Sequence, residues 1–141
     1  MKCTDLTYLI NTMGARQVDR LLALLAEVEL TVSRPPRSGL VMLTVTDSFE
    51  TDFHLGEVLV TEARILFRGM EGFGMVLGEA PERALARASA DAVFRCPEQT
   101  EIREKLQDFL LQEKSVQKDK LMEEAALIAA TKVNFDLMPG A

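Results

Sequence analysis

Apolar residues recur with a helical period from the start of the chain. Leu6, Leu9, Ile10 and Met13 fall at i, i+3, i+4 and i+7, the spacing that lines one face of a helix. Beyond Gly14 the pattern resumes with Val18, Leu21, Leu22, Leu25 and Val28, while Arg16, Asp19, Arg20 and Glu27 fall mainly on the other side. This predicts helices over residues 4–13 and 15–28, as a helical hairpin or one kinked helix with its tight link at Gly14. From residue 30 the period shortens to two. Residues 30–34 are a short β-prone run. Pro35-Pro36-Arg37-Ser38-Gly39 reads as a turn, because two prolines remove two donors and fix φ. Residues 40–46 alternate, with Leu40, Met42 and Thr44 on one face and Val41, Leu43 and Val45 on the other. Apolar groups on both faces predict a central strand. A polar loop at 47–52 leads to Phe53 and Leu55. The apolar parity then shifts across Gly56 to Val58 and Val60, as a β-bulge or bend would make it do. Ala63, Ile65 and Phe67 alternate with Glu62, Arg64 and Arg68, Gly69-Met70-Glu71-Gly72 reads as a hairpin turn, and residues 73–77 return as a strand.

Helical periodicity takes over again after Gly78. Pro81 suits the first helical position and Glu82 the positive helix end. Ala84, Leu85, Ala88 and Ala92 give this helix a small-residue face suited to close packing on a sheet or a helix. Cys96-Pro97 stops it, and Pro97-Glu98 reads as the opening of another, with Ile102, Leu106, Phe109 and Leu110 on one face. Residues 112–120 are polar apart from Val116, so the helix either breaks there or runs through solvent. Residues 121–133 are apolar-rich again, with Leu121, Ala125, Ile128 and Ala129. The order is helices, about four or five strands joined by short turns, then helices. That predicts an α+β fold with an antiparallel sheet, as one domain over 1–141.

Composition narrows the functional classes. With 141 residues, 48% of them hydrophobic, the chain can bury a core without cross-links. It carries 22 Asp and Glu against 16 Lys and Arg, a formal charge of −6, and no run of cations. An acidic surface repels phosphate backbones and anionic lipids, so neither nucleic acid nor membrane is expected as a partner. No apolar run approaches the ~18 residues a membrane helix needs. The first residues lack an export signal, and Cys3 and Cys96 lie far apart without CxxC spacing. The expectation is a cytoplasmic protein with two structural thiols and no disulfide.

Chemistry-bearing motifs are sparse. The one histidine, His54, sits in a strand with no nucleophile motif around it, and one His with two separated Cys offers no zinc set. No catalytic, cofactor or metal residue is assigned. Gly69, Gly72, Gly74 and Gly78 invite a nucleotide-loop reading. However, Met75-Val76-Leu77 separates Gly74 from Gly78, so these glycines lie in a turn and a strand and not between strand and helix. Hairpin geometry and close backbone packing explain them better. Glu57 and Glu62 could serve as acid and base, but five residues apart on a strand they point to opposite faces. Exposed carboxylates, or pairing with arginines of a partner, are the alternatives. The stretch Thr131-Lys132-Val133-Asn134-Phe135-Asp136-Leu137-Met138 sets three large apolar groups near the last residue. They call for docking, on this chain's own core or on a partner.

Three blocks then stand out: residues 55–63 (LGEVLVTEA), 72–78 (GFGMVLG) and 130–136 (ATKVNFD). In order and spacing they resemble the G subunit of the bacterial carbon–phosphorus lyase system, the PhnG family, over about residues 14–138. Phe73 stands where the family pattern suggests tyrosine and Lys132 where it suggests arginine. The resemblance implies a stable core complex with the H, I and J subunits, joined by an ATPase-like L subunit. It implies work on MgATP, whose adenine is displaced from ribose C1 by a phosphonate to give ribose 1-phosphonate 5-triphosphate. It also implies a supporting, non-catalytic role for this chain, with no cofactor of its own. From the bulged strand and the apolar tail, Glu57, Thr61, Glu62, Thr131, Lys132, Asn134, Phe135 and Asp136 are the expected partner-contact residues. Two other readings remain: a stand-alone acid–base catalyst using Glu57 or Glu62, and a self-associating adaptor or homo-oligomer built on residues 98–133.

Overall fold

The computed structural model describes residues 2–133. Two short helices come first, α1 (Cys3–Thr12) and α2 (Ala15–Leu25). They are separate helices joined at Met13 and Gly14, and each buries the face its spacing marks: Leu6, Leu9 and Ile10 on α1, and Val18, Leu21 and Leu25 on α2. Three strands follow, β1 (Thr31–Thr46), β2 (Asp52–Phe67) and β3 (Met70–Leu77), as one antiparallel sheet in the order β1-β2-β3. Then come α3 (Pro81–Arg95) and the 31-residue α4 (Glu101–Thr131). The fold is α+β as expected, with three strands in place of four or five.

The difference in strand count comes from Pro35-Pro36. They do not make a turn but lie inside β1, in one of two bulges: Val32 pairs with Ile65, Arg34 with Arg64 and Arg37 with Glu62. β1 is an edge strand, and a bulge on an edge tolerates residues that cannot donate to the ladder. It is therefore not the central strand that its two apolar faces suggest. The bulge expected at Gly56 is present. Leu43 pairs with Gly56 and Thr44 with His54, which leaves Leu55 as the extra residue, and Gly56 has φ +148°. The hairpin turn is tighter than the glycines suggest. Phe67 pairs with Met70, so only Arg68 and Gly69 form the turn, at φ +48° and +78°. That is the two-positive-φ geometry matching strand twist.

Helix α3 lies against the sheet and is buried almost all round. Ala84, Ala86, Ala88, Ala90, Ala92 and Val93 are fully buried. Gly72 and Gly74 of β3 face it. A Cβ built on Gly72 would lie 2.7 Å from Ala92 Cα, and one on Gly74 3.1 Å from Ala88 Cα. Glycine is needed here for proximity, since neither residue has positive φ. Arg83 of α3 reaches back to the carbonyls of Ile10 and Met13, the latter at 2.6 Å, satisfying acceptors at the end of α1. Thr100 caps α4 by accepting from the Arg103 N–H at 3.3 Å, so α4 begins at Glu101, four residues after Pro97 and later than the Pro97-Glu98 start. The polar stretch 112–120 does not break α4. Its Glu, Gln and Lys are strong helix formers, and past Leu110, the last of its buried residues, the helix stays beside α1: Gln117 accepts from the Thr12 hydroxyl at 2.9 Å and donates to the Leu9 carbonyl at 3.3 Å, and Lys114 lies 3.9 Å from Asp5. Among the described residues no helix is long and apolar enough to cross a membrane.

Candidate functional site: the partner-facing surface

At the root of the sheet, Thr61 is a hub. It is 1% exposed. Its hydroxyl donates to the Gly78 carbonyl (2.6 Å), accepts from the Ala80 N–H (3.0 Å) and meets the Ser38 hydroxyl (3.2 Å). Thr61 thereby ties both strand β1 and the β3–α3 connection to β2. Glu62 points to the opposite, outer face. It accepts from Arg37 Nε at 3.1 Å and pairs with Arg34 at 3.6 Å. Next to it Arg64 lies over the Phe73 ring, 5.2 Å from its centroid, and donates to Glu71 at 2.6 Å. The Arg64 hydrogen bond holds Glu71 below the ordinary glutamate value. These two residues of the sequence-derived set, Thr61 and Glu62, are thus engaged inside the chain.

The edge of β3 is closed by side chains. Asp91 accepts from the Phe73 N–H at 3.0 Å, Asn11 accepts from the Leu77 N–H at 3.0 Å, and Arg87 donates to the Phe73 carbonyl at 3.4 Å. Arg87 and Asp91 are themselves a buried i, i+4 pair, 3.5 Å apart. Asp91 also holds Arg95 at 2.8 Å and raises its affinity for its proton. Arg87 Nη2 lies 3.0 Å from Cys3 Sγ. Cys3 and Cys96 are free thiols.

Beyond this root, residues 38–59 of β1 and β2 leave the body as a two-stranded arm. Leu40, Val41, Met42, Leu43, Phe49, Phe53, Leu55 and Leu59 are all exposed, Leu40 by 62%. By strand alternation, Val41, Leu43, Val45, Phe53 and Val58 share the outer face. Leu40, Met42, Leu59 and Glu57 share the other, with Glu57 opposite Met42. Glu57 and Glu62 therefore do point to opposite faces. Glu57 has no ion-pair partner among the described residues. Asp47 closes the tip by accepting from the Phe49 and Thr51 N–H groups at 2.8 and 2.9 Å. His54 is exposed, its Nδ1 2.9 Å from the Thr44 hydroxyl.

A second projection is the distal part of α4. Leu111, Val116, Leu121, Met122, Leu127 and Ile128 are exposed, the last two by 69%. Residues 125–130 read Ala-Ala-Leu-Ile-Ala-Ala, apolar all round the helix, a pattern characteristic of an enclosed segment. Thr131 folds its hydroxyl back onto the Leu127 and Ile128 carbonyls at 3.1 Å, and Lys132 is exposed. Asn134, Phe135 and Asp136 lie outside the described residues. The apolar residues of the arm and of 121–128 are absent from the set drawn from the sequence. Two signals mark them in hindsight: strand 40–46 is apolar on both faces, and residues 38–59 hold no Lys or Arg.

Chemically, this surface is built for contact. Among the described residues no group of three or more His, Cys, Asp or Glu could hold a metal ion. The sheet thus has one covered face, a β3 edge occupied by side chains, and exposed apolar surface on the arm and the distal part of α4. The chain belongs to the PhnG family of phosphonate metabolism proteins, which matches residues 5–140. No curated protein matches it.

Proposed function

We propose that this chain is a supporting subunit of the carbon–phosphorus lyase core, bound with the H, I and J subunits and acting with the L subunit. The step it serves is attack of a phosphonate oxygen on ribose C1 of MgATP, with release of adenine and formation of the ribose 1-phosphonate 5-triphosphate. The observation carrying this reading is the exposed apolar surface of residues 38–59 and of α4 from Leu111 onward, on a member of a phosphonate-metabolism family. Surfaces of this size and apolarity mark protein contacts. Glu57 on the arm and Thr131 and Lys132 at the end of α4 are the proposed contact residues, continuing into Asn134, Phe135 and Asp136. The chain holds MgATP only as a substrate of the whole assembly.

The test is co-expression with the other subunits, with and without this chain. Adenine release from MgATP and methylphosphonate should require it, and the chain alone should release none. Removal of residues 131–141 should leave a folded chain that is lost from the assembly. Full activity without the chain refutes the reading. A purified chain that forms only multimers of itself, and enters no complex, favours a self-associating adaptor.

A further inference from the structure

We propose that the arm of residues 38–59 is an insertion element. Its open β1 edge takes a strand from a different subunit of the assembly, and that subunit brings a Lys or Arg to Glu57. The inference rests on the assignment of the chain to a multi-subunit assembly.

The two edges of the sheet are treated differently. On β3, Asp91, Asn11 and Arg87 occupy outward backbone groups. On β1, Pro35 and Pro36 lie in a bulge and block addition at the root. Between Ser38 and Thr46 no such guard exists among the described residues. The side-chain bonds of this segment run inward to β2, from Ser38 to Thr61, Thr44 to His54 and Thr46 to Asp52. Residues 38–46 contain no charge and no proline. A regular, apolar, uncharged edge is a template for strand pairing, and proteins that leave such an edge free blunt it with charge, proline or a covering element.

Both faces of the arm are apolar and exposed, so a single layer laid on one face leaves the other wet. Enclosure within a cleft covers both. Charge then identifies the occupant. Residues 38–59 hold Asp47, Glu50, Asp52 and Glu57 and no Lys or Arg. Glu57 lies on the same face as Leu40, Met42 and Leu59. Covering that face takes its carboxylate out of water, which is costly unless a cation comes with the cover. A second copy paired edge to edge through its own arm cannot supply one, because the arm holds no Lys or Arg and Arg34 and Arg37 next to it are held on Glu62. A different chain with a basic, apolar cleft meets every requirement.

The test uses the full chain, alone and co-expressed with the H, I and J subunits. Hydrogen exchange is followed over residues 38–46. Amides on the open edge should exchange freely in the isolated chain and slow by at least about tenfold in the assembly. Leu43→Asp and Glu57→Lys should each cut recovery of the assembled chain by about tenfold or more, while the melting temperature moves by less than about 2 °C, because both side chains are exposed. Normal assembly of both variants with 38–46 still exchanging freely overturns the inference and leaves the subunit reading intact. Protection of 38–46 already present in the isolated chain, as part of a homodimer that Leu43→Asp dissolves, makes a second copy the occupant and overturns it. A wild-type chain that never co-purifies overturns both.

Discussion

Gly72→Ala should destabilise this protein, and for a steric reason that can be isolated. Replacing glycine within a strand ordinarily helps, since it reduces the freedom of the unfolded chain by about 0.4–1 kcal/mol. Gly72 does not need the left-handed region, so conformational strain adds nothing. What opposes the methyl is space. The new Cβ would meet backbone atoms of α3, with Ala92 Cα at 2.7 Å and the Ala88 carbonyl oxygen and Ala92 nitrogen closer still. Backbone of a helix buried on all sides yields only if the whole helix lifts off β3. Overpacking of that kind costs about 1–3 kcal/mol. For a chain of this length that lowers the melting temperature by roughly 4–12 °C. Thermal unfolding monitored by circular dichroism, with a urea titration alongside, measures it. Ala92→Gly should give no rescue, because the obstructing atoms are main chain and not the Ala92 methyl. A neutral or stabilised Gly72→Ala, or rescue by Ala92→Gly, would refute the close approach of α3 to β3.

Two further outcomes follow from the root of the sheet. Thr61→Val keeps shape but strands the Ala80 N–H and the Ser38 hydroxyl, and should cost about 1–3 kcal/mol in urea unfolding, whereas Thr61→Ser should restore most of it. Glu71 should titrate below an ordinary glutamate, because Arg64 donates to its carboxylate. Its folded value is depressed, so the contribution of the pair is present above the unfolded glutamate range and lost as pH falls through the folded value. Carboxyl NMR on wild type and Arg64→Met checks this, and an unchanged Glu71 midpoint in the variant would rule out Arg64 as the cause.

Much of the fold was legible in local patterns. The faces of α1 and α2, the small-residue packing of α3, the stop at Cys96-Pro97 and the bulge at Gly56 all follow from local pattern, because each element settles its own burial within a few residues. Pro35-Pro36 misleads because the same missing donors that make a turn are harmless on a bulged edge, and edge position is a property of the whole sheet. Residues 112–120 leave a break and a continuing helix both open; the helix continues, because its residues are good formers and Gln117 and Lys114 hold it to α1 by polar contacts that an apolar pattern does not register. The arm is the instructive failure. Val41, Leu43 and Val45 opposite Leu40 and Met42 carry the signature of a strand buried on both sides, yet all but Val45 are exposed here. Alternation reports that a strand is to be covered. It does not report which chain covers it. The Thr61 hydroxyl is spent within the chain, on Ser38, Gly78 and Ala80, a set of contacts that no local pattern announces.

The arm and the distal part of α4 have a joint consequence. Residues 38–46 of the arm span about 30 Å at strand rise, and residues 118–131 of α4, beyond its last hydrogen bond to α1, span about 20 Å at helical rise. Both are rooted in one packed body, so their separation is set by the fold and not by a floppy linker. On the proposed reading, in which both seat on partner chains, the subunit is a bidentate ligand with two grips. Once one grip is seated, the other meets its receptor at a high effective concentration and without paying for orientation again. Release then requires both to let go in the same interval. Either grip alone can be modest, and the joint residence time can still be long, so a damaged subunit with one grip intact would exchange readily for a whole one.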